Sequence, residues 1–208
     1  MTQKERAVKA VLLLKTQYPD AICSLQYSDP FQLLIATRLS AQCTDKRVNM
    51  VTPALFAEFP DAASMGSADV LRVEELIKTC GLYKTKAKDL VGIGKMITEE
   101  FGGTVPNSIE KLTRLPGVGR KTANLVCGDI YKMPAVVTDT HLIRLANRLG
   151  LVTVKEPYKV ELALKKLLPP EESNDFCHRA VLLGRETCTA RKAYCQNCCL
   201  KDVCKKVI

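Results

Sequence analysis

The stretch Leu115-Pro116-Gly117-Val118-Gly119-Arg120-Lys121-Thr122-Ala123 decides the fold, because it joins two helical patterns through a turn with two glycines. Gly117 and Gly119 allow the backbone to turn sharply and leave several amide N–H groups without a helical partner. These groups precede a helix, whose positive N-terminal dipole also favours an anion. The stretch therefore predicts a phosphate-binding hairpin; a simple tight turn between two helices is the alternative.

The residues around this hairpin are basic. Between Lys111 and Arg148 the chain has seven lysines or arginines against two acidic residues. The turn, its amides and the positive charge therefore occur together, as a site for a nucleic-acid backbone requires. Such contacts hold the backbone without reading a base sequence. The residues expected to contact DNA here are Gly117, Val118, Gly119, Arg120 and Thr122.

The rest of the chain is predicted to be helical. Apolar residues recur at three- and four-residue spacing, and no segment shows sustained alternation of apolar and polar residues. The predicted fold class is therefore all-α, an irregular bundle of helices. A first helix begins with a capping box of Thr2 and Glu5, and a second begins at Asp29-Pro30. Further helices are predicted near residues 44–59, 67–80, 84–101, 108–115, 119–131, 140–149, 157–168 and 174–187.

Composition supports a compact protein with an anionic partner. The 208 residues carry 31 Lys or Arg and 22 Asp or Glu, a net charge of +9. This charge favours nucleic acid as the partner, although basic residues can also serve solubility alone. The N-terminal apolar run from Ala10 to Leu14 is too short for a secretory signal or a membrane span, so a cytosolic location is expected.

Lys121 and Asp139 are the candidate catalytic residues. A lysine is a nucleophile only when its amine is neutral. Lys121 lies in the first turn of a helix and beside Arg120, two settings that disfavour the charged amine. Asp139 precedes another helix at an N-cap position. From the residues alone, Lys121 could equally be an ordinary phosphate-contacting lysine. Asp139 could equally be a plain helix cap.

The ten cysteines fall into two groups. Cys188-x6-Cys195-x2-Cys198-x5-Cys204 offers four thiolates near the C-terminus, which suit zinc or an iron–sulfur cluster. The single close pair favours iron–sulfur. Cys199 could replace Cys198, but adjacent cysteines rarely face one metal, so Cys199 is predicted to be a bystander. The other five are expected to be small buried hydrophobic residues: Cys23, Cys43, Cys80, Cys127 and Cys177.

With these motifs in this order, the chain resembles the endonuclease III family, bacterial DNA glycosylases with abasic-site lyase activity. The resemblance covers nearly the whole chain and is specific as an ordered set. Its motifs are L-S-A-Q-C-T-D (39–45), C-G-L-Y-K-T-K-A (80–87), L-P-G-V-G-R-K-T-A (115–123), T-D-T-H (138–141) and the cysteine spacing.

The resemblance implies a helix-hairpin-helix fold of two helical lobes flanking a DNA-binding cleft. Residues 23–133 would form a six-helix domain, and residues 1–22 with 134–208 a second lobe containing the cluster loop (188–204). The implied partner is double-stranded DNA with damaged bases or abasic sites, acted on by a monomer in the bacterial cytosol. Oxidised pyrimidines are the implied lesions.

The resemblance also implies roles for individual residues. Lys121 would form a Schiff base with the sugar C1′, and Asp139 would assist base departure and later proton transfers. Gln42 would fill the hole left by the flipped nucleotide, while Leu82 would wedge the opposite strand. Asp45 and His141 would border the base pocket, with a helix-terminal charge and a core histidine as their plainer alternatives. A [4Fe–4S] cluster would be bound by Cys188, Cys195, Cys198 and Cys204.

Two other activities fit part of the pattern. Related monofunctional glycosylases that remove adenine resemble this family but generally lack the nucleophilic lysine, so Lys121 argues against them. They also carry a large C-terminal domain, whereas this sequence ends four residues after Cys204. A catalytically silent DNA-binding module would keep the hairpin for architecture alone.

Overall fold

The computed structural model describes residues 1–207, and within them it is helical, with one isolated β-bridge between Cys188 and Ala193 and no strand. The all-α fold class is confirmed. None of these helices is long and apolar enough to cross a lipid bilayer. The α-helices of the described residues are α1 (Gln3–Gln17), α2 (Pro30–Ser40), α3 (Asp45–Glu58), α4 (Ala62–Gly66), α5 (Val70–Ile77), α6 (Tyr83–Phe101), α7 (Ile109–Leu112), α8 (Arg120–Asp129), α9 (Thr140–Leu149), α10 (Pro157–Leu167) and α11 (Ser173–Glu186).

Side-chain caps explain where the first helices begin. The Thr2 hydroxyl accepts a hydrogen bond from the Glu5 amide, and the Glu5 carboxylate accepts one from the Thr2 amide, so the predicted capping box is confirmed. The Asp29 side chain caps α2 by accepting from the Gln32 amide, and Pro30 occupies the first turn. These signals are local in the sequence, so they could be read from it directly.

The helix predicted near residues 67–80 is present but shorter, because α5 runs only from Val70 to Ile77. Helix α4, at Ala62–Gly66, lies before the predicted range, and the sequence did not predict it. Asp61 caps α4 by accepting from the Ser64 amide, and Asp69 accepts from the Leu71 amide where α5 begins. Ser67 is the C-cap of α4 and does not begin a helix. Helix α4 has only five residues, too few for helical periodicity to indicate it.

The chain packs as two compact units. In the unit formed by residues 24–131, α2 provides much of the core, because Leu33, Leu34, Ile35 and Leu39 are fully buried. Burying one such side chain stabilises the fold by about 1.5–3 kcal/mol. Helix α2 packs against α3, α6 and α8. The start of α8, where the hairpin ends, is therefore held on a rigid core.

The other unit combines residues 1–23 with the chain from residue 132 onward. Here α9 packs against α11, and α1 packs against α10 and α11. Arg6 is buried and donates from Nε to the carbonyl oxygen of Val203 at 3.0 Å. The Val207 amide donates to the Arg148 carbonyl at 3.1 Å. The N-terminal helix and the C-terminal cysteine segment are thus joined in one unit.

Candidate functional site

The glycine hairpin links α7 to α8 and presents an open helix N-terminus. The Val118 amide donates to the Leu115 carbonyl at 3.1 Å, and Gly117 has φ +66°, in the left-handed region that favours glycine. Gly119 is the N-cap of α8 and provides no side-chain cap. A Cβ at this position would meet no atom within 4 Å. Space therefore exists in front of the first amides of α8, where an anion can approach.

Two apolar residues anchor the hairpin to its own unit. Leu115 and Val118 are buried, whereas Gly117 and Gly119 are exposed. Pro116 contacts α6 closely, because a Cβ on Gly92 would lie 3.0 Å from Pro116 Cγ. The hairpin thus has one face in the core and its glycine face in solvent, as the predicted phosphate-binding role requires.

Lys121 lies in the first turn of α8, two residues after the glycine cap, and its side chain is exposed. The following residues of α8, from Ala123 to Asp129, are all buried. The Asn124 side-chain amide also donates to the Arg120 carbonyl at 3.0 Å, within the first turn. The backbone that carries Lys121 is consequently fixed by the core, while its amine reaches solvent.

Asp139 is the N-cap of α9, as the sequence predicted. Its Oδ1 accepts a hydrogen bond from the Leu142 amide at 2.7 Å, and the residue is half-buried. The preceding residues 135–138 are buried, so the approach to α9 is fixed by packing. The cap interpretation is therefore correct. Asp139 nevertheless stays partly exposed.

His141 and Asp45 both have structural partners. His141 Nδ1 lies 3.2 Å from Arg144 Nη2, and a Cβ on Gly184 would lie 2.7 Å from the same nitrogen. Asp45 is the first residue of α3, and its Oδ2 accepts from the Ser24 hydroxyl at 2.5 Å. These contacts fit the packing and helix-terminal alternatives. A base-pocket role for either residue stays a prediction.

Gln42 and Leu82 share an unusual backbone. Their φ values are +54° and +58°, and both side chains are exposed, Leu82 by 60%. A large exposed leucine in the left-handed region costs free energy that packing does not recover, which is typical of functional positions. Their loops also approach each other, because a Cβ on Gly81 would lie 3.2 Å from the Gln42 carbonyl oxygen. The two residues implied to act on flipped DNA therefore lie on neighbouring loops of one unit.

Sequence reasoning missed Lys86, whose buried side chain joins α6 to the end of α2, just before the turn that contains Gln42. Lys86 is fully buried in α6, and its Nζ donates to the Leu39 carbonyl near the end of α2 at 2.8 Å. Burial lowers the pKa of this amine. The signal was its place within the motif of residues 80–87, but a lysine normally predicts exposure, so its burial could not be read from composition.

The four predicted cysteine ligands line one cavity. Apolar residues, Leu145, Leu149 and Leu200 among them, form another part of its wall. Arg148 Nη1 donates to Cys188 Sγ, and the Lys206 amide donates to Cys204 Sγ, each at 3.3 Å. Donors of this kind stabilise negatively charged sulfur. Within residues 1–207, no three His, Cys, Asp or Glu side chains lie together in the arrangement of ligands to a single metal ion.

Cys198 and Cys199 differ in their electrostatic settings. A hydrogen bond from the Cys199 thiol is the main cause that lowers the pKa of Cys198 to about 6. The same bond raises the pKa of Cys199. Burial raises the pKa of Cys204. Of the adjacent pair, Cys198 is thus the one whose thiolate is favoured, and it also lines the cavity.

The expectation that the remaining cysteines are buried hydrophobic residues is correct for Cys80, Cys127 and Cys177 and wrong for two others. Cys23 and Cys43 are only half-buried. Both lie in or beside loops, Cys43 in the turn after α2, where less of the core is available to cover them.

Comparison with known proteins identifies the class. Residues 35–170, which contain the hairpin, Lys121 and Asp139, match the HhH-GPD superfamily of base excision DNA repair proteins. The chain is 47% identical over 204 residues to endonuclease III of Synechocystis sp., covering 98% of this chain and 93% of that one. It is 38% identical over 202 residues to endonuclease III of Escherichia coli K12, with 97% and 96% covered.

The structural comparison agrees. A trapped covalent intermediate of endonuclease III with DNA superimposes with a TM-score of 0.92 at 36% identity, covering 99% of this chain and 97% of that one. The chain belongs to the endonuclease III family, and the resemblance seen in the sequence is confirmed.

Proposed function

We propose that this chain is a bifunctional DNA N-glycosylase and abasic-site lyase of base excision repair, acting through Lys121. One observation supports the proposal most: an exposed lysine lies two residues after Gly119, the exposed N-cap of α8, which has open space beside it. The chain is also similar, over nearly its full length, to an endonuclease III that has been trapped as a covalent intermediate with DNA. Oxidised pyrimidines are the proposed lesions.

The hairpin would grip the phosphodiester backbone of double-stranded DNA. Gly117 and Gly119 keep side chains away from the backbone amides, so a phosphate oxygen could come within hydrogen-bond distance of them. Arg120 and Thr122, both half-buried, flank these amides. A grip of this kind is independent of base sequence, which suits an enzyme that searches for lesions.

Lys121 would supply the nucleophile. Its neutral amine attacks C1′ of the damaged nucleotide, the C1′–N glycosidic bond breaks, and the base leaves with the bonding electrons and takes up a proton. The C1′–O4′ bond of the sugar ring then breaks, O4′ takes up a proton, and C1′ and the lysine nitrogen are left joined by a double bond. The resulting Schiff base acidifies the C2′ proton. Loss of that proton forms the C2′–C3′ double bond and expels the 3′ phosphate, which nicks the strand. Asp139 would help the base to leave and move protons in these later steps.

Gln42 and Leu82 would keep the damaged nucleotide outside the duplex. Flipping a base costs a few kcal/mol of stacking and pairing. Gln42 would fill the space that the flipped nucleotide leaves in the DNA duplex. Leu82 would wedge into the opposite DNA strand. Their exposure on adjacent loops supports this division of roles. We also propose that residues 23–133, and residues 1–22 with 134–208, are the two functional domains.

Cys188, Cys195, Cys198 and Cys204 would hold a [4Fe–4S] cluster. They fit such a group, because all four line one partly apolar cavity and two of the sulfurs already accept N–H donors. The cluster, when bound, supplies a rigid centre for the C-terminal segment. We expect Cys198→Ser to lose iron and visible absorption, and the adjacent Cys199→Ser to keep both. Equal iron loss in both variants would contradict this ligand assignment.

Strand nicking at a defined lesion tests the function. Duplex DNA with one oxidised pyrimidine is incubated with wild type, with Lys121→Gln and with Lys111→Gln as the matched control. We expect Lys121→Gln to slow base release and nicking by about a thousandfold or more, because the nucleophile is lost. The control removes the same charge nearby and should retain both steps. Unchanged nicking by Lys121→Gln would overturn the proposal.

A further inference from the structure

An ion pair that the mechanism does not use lies directly beneath the hairpin. Arg38, near the end of α2, donates from Nε to Asp89 Oδ2 on α6 at 2.9 Å, and its Nη2 donates to the same oxygen. Both side chains are largely covered, with 12% and 18% of their surfaces exposed. Two donors on one carboxylate oxygen hold both side chains in a defined position.

Gly117 rests on this pair. A Cβ at position 117 would lie 2.5 Å from Asp89 Oδ2 and closer still to Arg38 Nε. The backbone of Gly117 therefore contacts the pair with no space for even a methyl group. The neighbouring Pro116 lies against α6 at Gly92. The hairpin thus packs against α6 and the Arg38–Asp89 pair.

The negative charge of Asp89 argues against a simple electrostatic role of the pair in DNA binding. A carboxylate beside a phosphate-binding turn repels the phosphate, and removing it should strengthen DNA binding if charge alone matters. Arg38 already donates to that carboxylate through two of its nitrogens. The pair is therefore better explained as a neutral support than as a source of charge.

We propose that Arg38 and Asp89 are positioning residues that set the height and tilt of the hairpin, and so aim the amides around Gly119 at the DNA phosphate. This inference rests on the proposed function, since it assumes that the hairpin binds the DNA backbone. Lys121 is carried by α8, whose residues 123–129 are buried in the core of the unit. Loss of the pair therefore weakens the grip on DNA and leaves the chemical step nearly intact.

The test compares affinity with turnover in single variants. Dissociation constants are measured for duplex DNA with a stable abasic-site analogue, and single-turnover rates at saturating lesion DNA. We expect Asp89→Asn and Arg38→Met each to weaken binding about tenfold, which is about 1.4 kcal/mol. Single-turnover rates should stay within about twofold, as expected for loss of uniform binding. Tighter binding by Asp89→Asn would overturn the inference.

Two further variants separate positioning from charge and from general instability. Arg38→Met combined with Asp89→Asn leaves the net charge unchanged, and it should weaken binding about as much as one substitution alone, because the pair acts as a unit. Additive losses would contradict the inference. Glu58→Gln removes the same charge from an exposed ion pair with Arg72 and should leave binding unchanged. If Glu58→Gln weakened binding equally, the positioning role would be wrong.

The same measurements distinguish this inference from the proposed function. If wild type neither binds nor nicks lesion DNA, the proposed function fails first. If wild type nicks lesion DNA and depends on Lys121, but both single variants bind as wild type does, only the positioning role fails. Thermal unfolding of each variant shows whether any loss of binding reflects unfolding of the protein.

Discussion

Lys121 and Asp139 both lie at the start of a helix, but they are held differently. Lys121 is exposed in the first turn of α8, whereas Asp139 is half-buried and its Oδ1 caps α9. The cap at Asp139 could be predicted from the T-D-T-H sequence, because capping is a local interaction. The chemical roles could not be predicted from spacing, since an ordinary cap and an ordinary basic contact have the same pattern. Those roles came from the family resemblance.

Substitution of Asp139 can separate its cap from its chemistry. Asn caps a helix about as well as Asp, so Asp139→Asn should change the free energy of unfolding by less than about 0.5 kcal/mol. It cannot accept or return a proton as a carboxylate does, so base release should slow by about a hundredfold. Urea unfolding and single-turnover assays measure the two effects.

Asp139→Ala is the control for the cap. It removes both functions and should cost about 1 kcal/mol of stability in addition to the loss of rate. If Asp139→Asn released the base as fast as wild type, capping would be the whole role of Asp139.

At the scale of elements, the hairpin was predictable and its support was not. Two glycines and a proline marked the turn, and the structure has α8 beginning at Arg120, close to the predicted start. Arg38 and Asp89 lie on helices far away in the sequence, and nothing in their local patterns indicates that they meet under Gly117. Helix α4 was missed because its five residues are too few to show a helical period. Asp61 and Asp69, as potential N-caps, were the available signal.

The two hairpin glycines should respond differently to alanine. Gly117→Ala places a side chain at φ +66° and against the ion pair, so it should cost about 2 kcal/mol or more of stability. Gly119→Ala has an ordinary φ of −88° and open space for its Cβ, so stability should stay within about 1 kcal/mol of wild type.

Gly119→Ala is expected to lose DNA affinity and to keep its stability. The methyl group of Gly119→Ala lies in the space that a phosphate needs, so affinity for duplex DNA should fall about tenfold although the protein is stable. Denaturation and binding titrations on the same preparations test both statements. A stable Gly119→Ala protein with full affinity would show that the hairpin does not hold the DNA backbone.

At the scale of the whole molecule, the fold class and the kind of binding partner could be predicted from properties of the chain as a whole. Helical spacing throughout predicted the all-α class, and the net charge of +9 favoured an anionic partner. The joining of the two termini did not follow from these properties. Arg6 donates to Val203 across nearly the entire sequence, and such long-range pairs leave no periodic signal. The four cysteines were different, because their spacing alone predicted that they share one site.

The charge of the whole molecule predicts a steep salt dependence of DNA binding. Lysines and arginines that contact phosphates release counterions, so affinity falls as salt rises. For undamaged duplex, we expect binding to weaken by at least about tenfold between roughly 50 and 200 mM salt. Fluorescence anisotropy measures this directly. A flat response would mean that the positive charge serves solubility and that DNA is held in another way.

The most direct test of the account is to locate the covalent bond between protein and DNA. Lesion duplex is incubated with wild type in borohydride, which reduces a Schiff base to a stable amine, and the cross-linked peptide is sequenced by mass spectrometry. We predict that the sugar is attached to Lys121 Nζ and that Lys121→Gln forms no adduct. An adduct on another lysine, or an equal yield from Lys121→Gln, would contradict the account.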